Sequence, residues 1–255
     1  MIRIQRLNLD TSWIFTLGSK RILVDPWLIG SEVDGFSWFN EQWHSREPVQ
    51  PDALGRIDFI LISQSYEDHC HLPTLRVLDE RIPIVATEKA AGRLRKKFPE
   101  RTITAIDDYP AMNEYNGISI AALHPGRKID PIYYGLILKF QEETIFYASH
   151  GFNLDVGTAA RLKDQFDFTL LITTFTHFKL PALLGGDVNP GKDNAIQLCE
   201  QLRPGNVIGT HDENKIGKGL ISKLAKVTYP DFNNIKLPNH ARLLVMDDYN
   251  EVSVN

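Results

Sequence analysis

The chain has 255 residues, of which 43% are hydrophobic, with 28 Lys and Arg against 32 Asp and Glu for a formal charge of -4. That length fits one α/β domain or two small ones, and the apolar content supports a substantial core and excludes both a disordered chain and a minimal disulfide scaffold; with no low-complexity linker to split it, residues 1–255 are read as a single domain. No broad basic field exists, which disfavours a protein that grips nucleic acid through its phosphates, and Cys70 and Cys199 read as reduced thiols of a cytoplasmic protein.

The first eight residues alternate apolar and polar like a strand and lack the basic-then-apolar pattern of a signal peptide. The most apolar later stretch, residues 168–175, is far below the roughly 20 residues needed to span a bilayer, so no membrane span is expected. Strands predicted at residues 3–7, 12–16 and 21–24 are separated by short polar turns and imply an antiparallel meander. After Asp25-Pro26 no period is sustained to about residue 56, yet Trp27, Phe36, Trp38, Phe39 and Trp43 concentrate there. A loop this aromatic is expected to be covered, either as a flap beside a site or as a plug at one end of the core.

The apolar run Phe59-Ile60-Leu61-Ile62 reads as a buried strand and turns abruptly into Ser63-Gln64-Ser65-Tyr66-Glu67-Asp68-His69-Cys70-His71. Residues 72–78 then resume helical spacing with Pro73 in the first turn, so the polar cluster occupies a strand-to-helix loop. A strand follows at 82–85, and Thr87 is the predicted cap of a helix reaching about residue 98, whose Arg93, Arg95, Lys96 and Lys97 read as a solvated face. Further strands are predicted at 103–106, 118–123, 133–140, 144–148, 168–173, 206–209 and 242–246, with helices at 156–163, 192–202 and 218–224. Residues 184–192, Gly-rich before a helix, could offer amides to an anion but lack phosphate-loop spacing, and an ordinary loop is the plainer reading. No Gly-rich turn follows the first strand and no Gly-x-Ser-x-Gly elbow occurs, which argues against a dinucleotide-binding fold and a serine hydrolase.

A metal site collects ligands far apart in sequence, and strand ends on one edge of a sheet provide that. Asp68, His69, His124, His150 and His211 each follow a predicted strand directly, His177 follows one at a distance, and His44, His71 and His240 lie in a loop, a helix start and the tail. A single such histidine is more simply a polar residue leaving the core; four of them with Asp68 point to metal.

These residues resemble the metallo-β-lactamase superfamily, whose metal loop reads Thr-His-x-His-x-Asp-His after an apolar strand. Here Ser63, Gln64, Tyr66, Asp68 and His69 stand at the corresponding positions. The resemblance extends from Ile22-Leu23-Val24-Asp25-Pro26, where the family's acid usually supports a ligand, to Phe146-Tyr147-Ala148-Ser149-His150-Gly151, with His150 in place of the bridging acid. It ends at Val207-Ile208-Gly209-Thr210-His211, which is similar to the lactonase-like branch. What this implies is a four-layer αββα sandwich carrying a mononuclear, metal-dependent hydrolase of an ester, lactone or phosphodiester bond in a small-molecule substrate. By the same resemblance, the metal ligands are Asp68, His69, His150 and His211 with His124 beside them, and the ion is zinc, or else manganese or iron. Asp68, Tyr66 and Gln64 are the catalytic candidates, the last two positioning substrate or water. The alternative is a non-catalytic member of the fold that binds a metabolite, a partner or RNA. Oligomeric state and the roles of His71, His177 and Cys70 are not legible.

Overall fold

A computed structural model describes residues 1–124, 133–184 and 186–254, so the start of the strand predicted at 133–140 is described but Gly185 of the 184–192 stretch lies outside the described residues. The class is mixed α/β. The chain divides into two compact units, the first formed by Met1–Asp107, Glu213–Lys223 and Asp247–Ser253, the second mainly by Asp108–Asp212 and Leu224–Met246.

In the first unit a seven-stranded sheet has the order Val252–Val254, Ile2–Arg6, Trp13–Leu17, Lys20–Val24, Phe59–Ile62, Ile84–Thr87, Ile103–Ile106. The opening meander is antiparallel, as its short polar turns require, and from Lys20–Val24 onward the pairings are parallel. Parallel strands covered on both faces must be apolar throughout, which is why Phe59–Ile62 and Ile84–Thr87 read as unbroken runs. Helices α1 (Leu72–Val77) and α2 (Glu88–Lys97) cover this sheet, burying Leu72, Leu75, Ala90, Ala91 and Leu94 against Ile60, Ile62, Ile84 and Ala86.

The second unit repeats the plan with the order Arg242–Leu244, Asn206–Thr210, Phe168–Thr174, Glu143–Ala148, Gly135–Phe140, Ile118–Leu123, Asn113–Tyr115. Its parallel strands are covered by α3 (Val156–Gln165) and α4 (Lys192–Leu202), with Ala159, Leu162, Ala195 and Leu198 packed against Phe146, Leu171 and Val207. Helix α5 (Leu220–Leu224) ends the set near the predicted position.

Two small sheets escaped the sequence reading. Residues 27–43 are not structureless: Glu32–Val33 and Glu41–Trp43 form a hairpin whose second strand also pairs with Ile216–Lys218. The expectation that its rings are covered fails for two of them. Trp27 is buried, but Phe36 and Trp38 are 66% and 65% exposed and stack on each other in water, centroids 6.0 Å apart. The other small sheet joins Asp187–Pro190, His177–Lys179 and Lys226–Thr228 in the second unit.

Candidate metal centre

Both units bring polar side chains to the carboxyl ends of their parallel strands, where such sheets open their clefts. In the first unit the chain leaves Phe59–Ile62 into the loop carrying Asp68 and His69. That loop is tied down from several directions. Asp25, buried and in the left-handed region at φ 45, accepts from the Ser63 amide at 2.7 Å, from the Ser63 hydroxyl at 2.5 Å and from His69 Nδ1 at 2.7 Å. Thr11 donates its hydroxyl to the Asp68 carbonyl at 2.6 Å. Thr87 donates its hydroxyl to the Ser63 carbonyl at 3.0 Å instead of closing the first turn of α2, so its predicted capping bond is absent. Arg93 is the larger departure from the sequence reading: it leaves the solvated face and donates to the Ser65 carbonyl and the Glu67 carboxylate.

With His69 Nδ1 donating to Asp25, Nε2 is the ring atom a metal bond would use, the usual arrangement of a metal-binding imidazole. Its Nε2 lies 3.5 Å from the Asp68 carboxylate, which is 13% exposed. Burial alone would lower the His69 pKa, but the charges of Asp68 and then Asp25 outweigh it and hold the ring up to about 9.

In the second unit Ala148 leads to His150, and Thr210 to His211, itself left-handed at φ 55. The two rings lie 4.4 Å apart between centroids, and the Tyr133 ring stacks on His150 at 4.1 Å. His150 Nδ1 is 2.7 Å from Asn189 Oδ1, so it donates there, and Nε2 is the atom through which a metal would be bound. The turn beyond it is fixed by Asn194 on α4, which accepts from the Phe152 amide and donates to the Phe152 carbonyl, both at 3.0 Å. Gly151 is required, because at φ 79 a Cβ would come within 2.6 Å of Asn194 Oδ1. Asn189 thus gives the 184–192 loop a role that sequence reading missed: it orients an imidazole.

Asp68, His69, His150 and His211 each offer a ligand atom, and these atoms lie within 4.8 Å of one another. One carboxylate and three imidazoles suit zinc, iron or manganese. His124 is not in the group: it is 48% exposed and pairs with Asp108 at 3.0 Å. Gln64 is buried and Tyr66 half-buried in the same loop as Asp68. Burial, together with the charges of Asp68 and Asp34, raises the Tyr66 phenol above its ordinary value.

The remaining histidines have structural partners. His71 caps α1, its Nδ1 accepting from the Thr74 amide at 3.3 Å and its Nε2 donating to the Ser31 carbonyl at 3.1 Å, and burial pushes it down to about 4. His44 Nδ1 lies 2.6 Å from Glu213, His177 Nε2 lies 2.9 Å from Asp187, and His240 Nε2 lies 3.2 Å from the Cys199 carbonyl. Cys70 is buried, and burial pushes its thiol up to about 12, which leaves no thiolate for ligation or attack at neutral pH.

A family model described as the Beta-lactamase superfamily domain matches residues 20–211. The chain belongs to that family. Among curated relatives, the cytidine monophosphate-N-acetylneuraminic acid hydroxylase of Sus scrofa is 42% identical over 71 residues, 27% of this chain and only 15% of that protein's length. A UPF0173 metal-dependent hydrolase of Pyrococcus furiosus is 26% identical over 200 residues, 76% of this chain and 78% of the relative. Among solved structures, isothiocyanate hydrolase from Delia radicum gut bacteria superposes with a TM-score of 0.67 at 16% identity, over 98% of both chains. These similarities identify the fold as the metallo-β-lactamase type. Among the described residues no helix is long and apolar enough to cross a membrane.

Proposed function

We propose that this protein is a mononuclear metal-dependent hydrolase that cleaves an ester, lactone or phosphodiester bond in a small molecule, with Asp68, His69, His150 and His211 as the ligands. The observation that carries this reading is the convergence of those four donors, two of them with their Nδ1 atoms already engaged by Asp25 and Asn189. The match to a hydrolase relative over 76% of the chain supports the reaction class, and a family match running from one unit into the other supports reading residues 1–255 as a single domain. A divalent ion held there, zinc first, would supply a Lewis acid and lower the pKa of water. The chain's own part is positional. Asp25 and Asn189 fix the tautomers of His69 and His150, the neutral Tyr66 phenol is a proton donor, and the Gln64 amide orients substrate or water.

Elemental analysis of protein purified without chelator or metal-affinity resin tests the site, and turnover on a panel of esters, lactones and phosphodiesters tests the class. One metal per chain, lost in His150→Ala, is expected; two per chain, or an undiminished content in that variant, overturns the ligand set. Bound metal without turnover selects the non-catalytic alternative. A second reading, a hydroxylase, rests on the 42% identity over 71 residues to a protein of that name, and a hydroxylated product in place of hydrolysis would select it.

A further inference from the structure

We propose that Lys215 is a built-in cation for the carboxylates adjoining Asp68, and that it confines this part of the protein to a single metal ion. The inference rests on reading Asp68 as a ligand.

Glu32, on the hairpin, feels the charges of three other acids of the first unit: Asp68, Asp34, and Asp10 in the turn between Ile2–Arg6 and Trp13–Leu17. Asp10 and Glu32 are both buried. Into them reaches the Lys215 ammonium, 2.9 Å from Asp10 Oδ2, 3.8 Å from Glu32 Oε1 and 5.3 Å from the centre of the Trp27 ring. Buried carboxylates that face a common point repel strongly in a medium of low polarity, and the ordinary remedy is a bound cation. Here the chain supplies the charge covalently. Burial pushes Glu32 well above the usual carboxylate range, and Lys215 is the group that opposes the shift.

The ammonium is not on a loose tether. The Lys215 amide donates to the Glu213 carbonyl at 3.0 Å, and the Glu213 carboxylate accepts from the Ser45 amide at 2.6 Å, the Ser45 hydroxyl at 3.0 Å, the Arg46 amide at 3.2 Å and His44 Nδ1. On the other side, Asp10 is followed directly by Thr11, whose hydroxyl holds the Asp68 carbonyl. Lys215 is thus a positioning residue. It joins the hairpin strand to the turn that steadies the ligand loop, and it fills with one fixed charge a place that a divalent ion would otherwise take.

Thermal melting of the full chain with and without 10 mM calcium chloride tests this, because calcium takes oxygen ligands and leaves the imidazoles alone. The wild type and Lys215→Arg are expected to melt at the same temperature in both buffers. Lys215→Ala is expected to melt lower and to recover by about 2–4 °C or more with calcium, a gain abolished by adding Asp10→Asn. Titration of Lys215→Ala with manganese should show one site more than the wild type. If Lys215→Ala does not fold, Lys215→Met, which keeps the stem against Trp27, replaces it, and if that too fails, calcium should restore the refolding yield. No calcium response in any lysine-free variant, or an equal response in the wild type, overturns the proposal. Zinc content of the wild type is measured separately, so failure of the metal reading is distinguishable from failure of this one.

Discussion

Replacing Asp25 by asparagine tests the support of the metal loop most directly. The position is left-handed at φ 45, a conformation that asparagine tolerates, and the side chain keeps its size. What changes is charge and acceptor count. Asp25 now satisfies the Ser63 amide, the Ser63 hydroxyl and His69 Nδ1, all buried, and the amide nitrogen of asparagine must face at least one of these donors. Breaking a buried ion pair by removing one partner costs about 3–5 kcal/mol, a large part of the roughly 5–15 kcal/mol that holds a typical domain together. Loss of the group that orients a ligating imidazole typically costs about 10–100-fold in metal affinity, or about 1.4–2.7 kcal/mol. Urea denaturation of the metal-free variant measures the first effect and competition with a chelator the second. A folded Asp25→Asn protein that binds zinc within twofold of the wild type would refute the orienting role of Asp25.

The metal-free protein should lose stability as pH rises from 6.5 to 9: His69 is held up to about 9 by Asp68 and Asp25 against the lowering effect of burial, so its contribution, about 3 kcal/mol, is complete below the unfolded value and gone above the folded one. Over the same window zinc affinity should rise about tenfold per pH unit, since the ion displaces a proton from this ring; flat profiles in denaturant and zinc titrations would contradict the assignment. Arg93→Ala should weaken zinc binding several-fold and destabilise by about 1–3 kcal/mol by releasing the loop at Ser65 and Glu67, with Arg93→Lys intermediate; equal values for all three proteins would return Arg93 to a solvated face. His71→Ala should cost about 1 kcal/mol, the loss of a helix cap, and leave metal content unchanged, whereas loss of metal would make His71 a ligand.

The parallel strands were legible because their physics is local. A strand covered on both faces must be apolar along its whole length, so Phe59–Ile62, Ile84–Thr87 and Phe168–Thr174 stand out from their surroundings, and the polar residues that end them are visible as such. The members of the candidate metal group were visible for the same reason: Asp68, His69, His150 and His211 each follow a strand without a spacer long enough to hide it. The hairpin at Glu32–Val33 and Glu41–Trp43 was not legible, since strands of two and three residues are too short to show a period.

By itself the sequence determined the class of the protein, the order of its main strands and the ends at which ligand-type residues leave them. Only the tertiary structure decided which polar groups support those residues: that Asn189 orients His150, that Arg93 turns to the ligand loop, that Lys215 reaches Asp10 and Glu32, and that His124 stands apart with Asp108. The reason is physical. A long cation or a short amide has no sequence-encoded direction, and its partner is whichever complementary group the packed strands bring within about 3 Å, for Lys215 and Asp10 across a separation of 205 residues.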